Sequence, residues 1–177
     1  MNVLIRQWTV KDLPAVQRVT WTTWVNAYSS FIPEPDLKSY FDSHYTLEAL
    51  SALVEPPAKN GFVAVNEDEV VGYAKTLFNA EEKRFYVSSL YILPEYQGKG
   101  IGGKLMTAAE EHARSFGVES VWLGVMTQNT QALEWYKKMG FEFFEEAPFT
   151  MGNTTVVHLI GCRKIGVRIK QSSRPNP

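Results

Sequence analysis

The sequence predicts one α/β domain of the α+β kind, built on a mixed, mostly antiparallel twisted sheet. Three observations carry that expectation. Residues 61 to 93 read as three apolar stretches parted by the charged turn Glu67-Asp68-Glu69 and a polar turn at 79 to 83, the pattern of an antiparallel meander. Residues 88 to 126 pass from a strand through a glycine loop and an amphipathic helix into a continuous apolar run. A helix joining two such strands makes them parallel, with a right-handed crossover. The 177 residues suffice for a single core and contain no internal repeat.

The elements follow in chain order. Residues 3 to 8 form a first strand. Thr9 and Asp12 resemble a capping box that opens a helix through Leu13, Val16, Val19 and Thr20 to about Val25, with Pro14 tolerated in its first turn. Residues 26 to 45 mix aromatics with turn formers and read as an aromatic loop, which with the two helices it joins makes a mobile wall for a pocket. Thr46 caps a short helix over Leu47, Leu50 and Leu53, closed by Pro56-Pro57. After the meander, the helix beyond the glycine loop ends at Phe116-Gly117, with Glu110 and Arg114 as an i,i+4 pair on its outer face. Residues 118 to 126 are a buried strand. Asn129 caps a helix over 130 to 139 that stops at Gly140-Phe141, and strands near 142 to 145 and 155 to 160 close the domain.

Composition excludes several classes of function. With 45% hydrophobic and 21% charged residues the chain is globular, and its longest apolar runs are too short to span a membrane. The opening Met-Asn-Val-Leu-Ile-Arg-Gln is no secretion signal, so a cytoplasmic location is expected. The single cysteine, Cys162, cannot form an internal disulfide. Residues 162 to 177 are basic and read as a loosely ordered tail on a domain of residues 1 to 161. Without that tail 13 basic residues face 19 acidic ones, a body near −6 that disfavours nucleic acid and favours a cationic partner.

The informative stretch is residues 88 to 104. The strand Leu90-Tyr91-Ile92-Leu93 is stopped by Pro94, and Gly98, Gly100, Gly102 and Gly103 precede a helix. Free amides, the positive end of a helix dipole and missing Cβ atoms together make an anion site. Gly98, Gly100 and Gly103 fit the dinucleotide pattern GxGxxG, but Glu119 precedes the next apolar run instead of ending it. Gly98, Gly103 and Lys104 fit the P-loop, but Leu105 stands where Ser or Thr must hold magnesium. The pattern that fits throughout is Gln97-x-x-Gly100-x-Gly102 after an apolar strand and a Pro-Glu-Tyr turn. The second motif is Asn129-x-x-Ala132-x-x-x-Tyr136-x-x-x-Gly140-Phe141. Packing on a helix face alone also accounts for an aromatic at 136.

Together these motifs resemble the GNAT superfamily of N-acetyltransferases over nearly the whole chain. The resemblance implies helices on both faces of the sheet, a splayed parallel pair of central strands, and acetyl-CoA as cosubstrate. The amides of Gly98, Lys99, Gly100, Ile101, Gly102 and Gly103, with Gln97, would hold its pyrophosphate. The strand edge at Leu90, Tyr91 and Ile92 would pair with its pantetheine arm, Asn129 would bond it, and Tyr136 would act as acid toward its sulfur. Trp122-Leu123-Gly124-Val125, Tyr136 to Phe141 and Met151-Gly152, with the aromatic loop, are similar to the PaiA-type branch associated with polyamine acetylation. That implies a small-molecule amine acceptor such as spermidine; the aromatics and carboxylates of the wall, Tyr28, Glu34 and Asp36 among them, suit such a chain of methylenes and ammonium groups, with Tyr86 as a further contact.

Many members of the family carry a glutamate where this chain has Tyr86. The base is therefore open between water relayed by Tyr86 or Ser88 and a wall residue such as Glu34 or His44, and the amine can equally arrive with its proton already lost to bulk water. Alternatives are a peptide or other small amine as acceptor, or a non-catalytic acetyl-CoA-binding module. No metal is expected, and a homodimer is allowed for.

Overall fold

The computed structural model describes residues 2–54 and 60–166. Seven strands form one sheet: β1 (Val3–Gln7), β2 (Gly61–Asn66), β3 (Glu69–Asn79), β4 (Arg84–Ile92), β5 (Ser120–Met126), β6 (Glu142–Met151) and β7 (Thr154–Lys164). Their order is β1-β2-β3-β4-β5-β7-β6, and every neighbouring pair is antiparallel except β4–β5. Five helices cover it: α1 (Leu13–Tyr28), α2 (Glu34–His44), α3 (Leu47–Ser51), α4 (Ile101–Ser115) and α5 (Thr130–Lys138). The α1, α2 and α3 residues share one core cluster with Tyr73 and Met126, while α4 and α5 pack on the opposite face with Phe85, Val121 and Leu123. Helices thus lie on both faces, as expected.

The parallel pair positions the site. β4 and β5 are in register only at Phe85↔Val121 and Tyr86↔Trp122, and then part. A bulge adds to the break, because Lys75 opposes Ser89 while Thr76 opposes Val87, leaving Ser88 unpaired. One extra residue restarts the period-2 alternation. Phe85 and Val87 face α4 before the bulge. Beyond it Ser89 and Tyr91 face α1, and Leu90 and Ile92 face α4.

The region read as an aromatic loop contains the helix α2. Pro33 and Pro35 mislead a reader because proline breaks helix interiors, yet here Pro33 is the N-cap and Pro35 lies in the first turn, where a missing N–H costs nothing. Leu37, Tyr40 and Phe41 then recur at helical spacing and turn inward. The Thr9–Asp12 cap forms, with the Thr9 N–H donating to Asp12 at 2.7 Å, but it opens a short 3₁₀ turn that runs into α1. The expected Glu110–Arg114 pair does not form. Glu110 is buried on the inner side of α4 and meets Arg163, while Arg114 donates to the Ile165 carbonyl at 2.9 Å. β7 continues through Arg163 and Lys164, past the boundary drawn at 161, and residues 167–177 lie outside the described residues. The Pro56-Pro57 stop falls outside them too. Among the described residues no helix is long and apolar enough to cross a membrane, and no cluster could hold a metal ion.

Candidate active site

The site is the wedge where β4 and β5 diverge. The Leu93 N–H bonds across β3's side, to Val71 O at 2.9 Å. Backbone direction alternates along a strand, so Leu90 and Ile92 turn their backbone groups the other way, into the wedge. No strand fills it, and the free edge has room for an extended chain bearing amides. The Tyr91 backbone points toward β3 while its ring enters the aromatic cluster beneath α1.

The glycine loop lies at the open end. Gly98 and Gly100 have φ of 72° and 78°, a left-handed conformation that favours glycine, and a Cβ on either would meet nothing in the protein. Gly100 is the N-cap of α4, whose first bond back is Lys104 N–H to Gly100 O at 3.3 Å. The N–H groups of Ile101, Gly102 and Gly103 are therefore the unpaired first turn of a 15-residue helix. This cradle fits a pyrophosphate.

Two loop residues have jobs of a different kind. Gln97 donates its side-chain amide to Ile92 O at 3.0 Å and so ties the loop to the strand. A Cβ on Gly102 would stand 2.8 Å from the Trp135 ring, so that glycine lets α5 approach α4. Lys99 lies with Nζ 5.1 Å from the centroid of Tyr96, and the Ile101 side chain is core.

Deeper in the wedge four polar side chains converge from different elements. Asn129 caps α5 by accepting from Ala132 N–H at 3.3 Å. Tyr28 rises from α1 with its hydroxyl against the Tyr91 hydroxyl and the Asn129 amide. Tyr136 reaches the same place from α5, its ring edge-on to Trp135 and Phe141. Burial pushes the Tyr136 hydroxyl well above the ordinary phenol value, and the neighbouring Tyr28 adds to the rise. Behind them Tyr45 bonds Ser89 at 3.0 Å, which fixes β4 after the bulge, and Thr20 bonds Tyr73 of β3 at 2.7 Å.

The remaining predicted residues lie on the α1 side of the sheet. Tyr86 is at the closed end, donating to Glu82 at 2.7 Å, next to Trp122. Arg84 lies 3.7 Å over the Trp122 ring and donates to Glu145 at 2.8 Å. Glu34 is exposed at the start of α2. Asp36 is not among the groups facing the wedge. It accepts from Asn153 N–H at 3.0 Å and from the Thr154 hydroxyl at 2.6 Å, clamping α2 to the β6–β7 turn. The sequence reading passed over Arg84, Trp122 and Glu145, which surround Tyr86, as individual groups. Their signal is faint: alternation in a strand gives the face of a side chain but no motif marks its use.

A splayed parallel pair, a glycine loop at a helix N-terminus and a buried tyrosine beside the gap define an N-acetyltransferase. The chain matches the Acetyltransferase (GNAT) family over residues 20–141 and belongs to that family of acetyl-CoA-dependent enzymes. An uncharacterized N-acetyltransferase of Mycobacterium tuberculosis is 29% identical over 141 residues, covering 80% of this chain and 90% of that protein. A streptothricin acetyltransferase of Streptomyces lavendulae is 37% identical over 83 residues, 46% of this chain and 44% of that one. Among solved structures, the PaiA N-acetyltransferase of Thermoplasma acidophilum in complex with coenzyme A superposes with a TM-score of 0.81 at 23% identity, over 93% of this chain and 100% of that one.

Proposed function

We propose that this enzyme moves an acetyl group from acetyl-CoA to a primary amine of a polycation such as spermidine, by direct attack in a ternary complex. The pyrophosphate sits on the amides of 98 to 103 and the pantetheine arm lies along Leu90 and Ile92. The wedge between β4 and β5 is the observation that carries this placement, because it leaves an edge of β4 that no strand pairs with.

Attack by the amine turns the thioester carbonyl into an oxyanion, which a backbone N–H of the β4 edge stabilises. Collapse breaks the carbon–sulfur bond. Tyr136 then donates its proton to the departing sulfur. A phenol whose pKa is raised by burial is not thereby a poorer partner, since the same dry surroundings make a thiolate equally eager for a proton. Asn129 and Tyr28 hold the hydroxyls of the wedge in one arrangement.

Support for a polycationic acceptor comes from the α1 face of the sheet. Trp122 and Tyr86 offer aromatic surface beside Glu82 and Glu145, and the Arg84 guanidinium stacked on Trp122 is a cation this surface already holds. Exposed Glu34 adds charge at the rim, and the acidic body favours approach of a cation. Initial rates with acetyl-CoA and a panel of spermidine, a monoamine of similar length and a peptide α-amine test this. Spermidine should give the highest kcat/KM, and its advantage should shrink as salt screens the attraction. Equal rates for mono- and polyamines, or preference for the peptide, would replace the polyamine by that acceptor.

A further inference from the structure

We propose that His158 of β7 takes the proton from the attacking amine, the role left open by Tyr86 standing where a strand glutamate is common. The inference rests on the reading of the wedge as an acetyl-transfer site and on four observations about this side chain.

The first is position. Gly124 lies two residues past Trp122, the last β5 residue in register with β4, and so borders the mouth of the wedge. A Cβ on Gly124 would stand 3.1 Å from Nδ1 of His158, so the imidazole covers that glycine on the face shared with Trp122. This is the α1 face of the sheet, opposite α4 and α5. The second is fixation. The ring stacks on Phe149 at 4.3 Å between centroids and 7° between planes, and Phe149 packs in turn on Tyr40. The ring plane is set before any substrate arrives.

The third is valence. The chain has three histidines. Nδ1 of His44 bonds the Tyr40 carbonyl and Nδ1 of His112 bonds Thr76. Among the described residues the His158 ring, unlike its backbone within β7, makes no hydrogen bond. It is half-buried, and it is not among the side chains whose polar atoms are both sealed from solvent and unpartnered. A half-buried imidazole with no protein partner has a nitrogen free for a ligand.

The fourth is charge. Burial holds the imidazole down to about 4, so it is neutral, and an acceptor, throughout the neutral range. The titratable groups around it are Tyr40 and His44 of α2, reached through Phe149, and Glu145 of β6, opposite Ile160 one step toward the closed end. β5 presents Gly124 and Met126, which do not titrate.

The step balances. The amine nitrogen bonds the thioester carbon while one of its protons passes to the free ring nitrogen. The carbon–sulfur bond breaks, and the sulfur takes the Tyr136 proton and leaves as the thiol. The imidazolium then gives its proton to solvent, and the tyrosinate recovers one.

Two variants test this once the wild-type protein has been shown to acetylate an amine of the panel above; failure with every amine of that panel sinks the acetyl-transfer reading itself, and not the assignment of His158. His158→Phe keeps the stack on Phe149 and removes the acceptor nitrogen. Its kcat should fall by roughly 10²- to 10⁴-fold, with acetyl-CoA affinity and Tm near wild type. His158→Ala opens a space over Gly124, and added imidazole should restore turnover in proportion to its concentration. A Phe variant with wild-type kcat overturns the proposal. So does a loss in both variants that tracks weakened acetyl-CoA binding without imidazole rescue, which is the behaviour of a packing residue.

Discussion

A single hydroxyl separates tyrosine from phenylalanine, and at position 136 that atom sits in a dry gap beside another phenol. If Tyr136 served packing alone, Tyr136→Phe would keep every ring contact with Trp135 and Phe141. If the hydroxyl meets the departing sulfur, kcat should drop on the order of 10²- to 10⁴-fold while the KM for acetyl-CoA holds steady. Steady-state kinetics on the purified variant separates the two, and wild-type turnover would return Tyr136 to the core. Tyr28 shares this spot, so removing its hydroxyl should alter the phenol it faces; the pair is best studied as a double-mutant cycle.

At the scale of elements, the loop and the helix it opens divide their glycines between two duties. Gly100 holds a left-handed φ of 78° with open space where its Cβ would go. Gly100→Ala therefore strains the loop by about 1–2 kcal/mol, and the loop can relax only by turning its amides off the phosphate. Titration calorimetry should show acetyl-CoA affinity falling roughly tenfold, with the fold intact. Unchanged affinity would remove this loop from the binding site. Gly102→Ala acts differently, because its methyl would displace Trp135 and lower stability first.

That contrast marks the limit of what was legible in the sequence. Spacing identified the loop, the crossover helix, Asn129 as a cap and the Gly140-Phe141 stop, since each rests on local backbone rules. It could not tell a glycine that admits a ligand from one that admits an indole thirty-three positions along the chain. Asp36 shows the same limit, because its partners, Asn153 and Thr154, come close only once the sheet is assembled. α2 was missed since two prolines at a helix start look, in isolation, like a loop.

For the whole molecule, the two bridging positions between β4 and β5 make the sheet a joined pair of smaller ones, β1 to β4 and β5 to β7. A cosubstrate laid along Leu90 and Ile92, as proposed, would then act as a detachable eighth strand that stitches the halves together. Amide exchange at Leu90 and Ile92 should be fast in the free protein and slow with acetyl-CoA bound; equal rates would argue against an arm laid along this edge. Mass action adds about 2.7 kcal/mol of stability when the ligand is at a hundred times its Kd. A protease that cuts the opened seam would accordingly digest the free enzyme sooner than the loaded one, so the survival of this protein in a cell would rise and fall with the supply of its own acetyl donor.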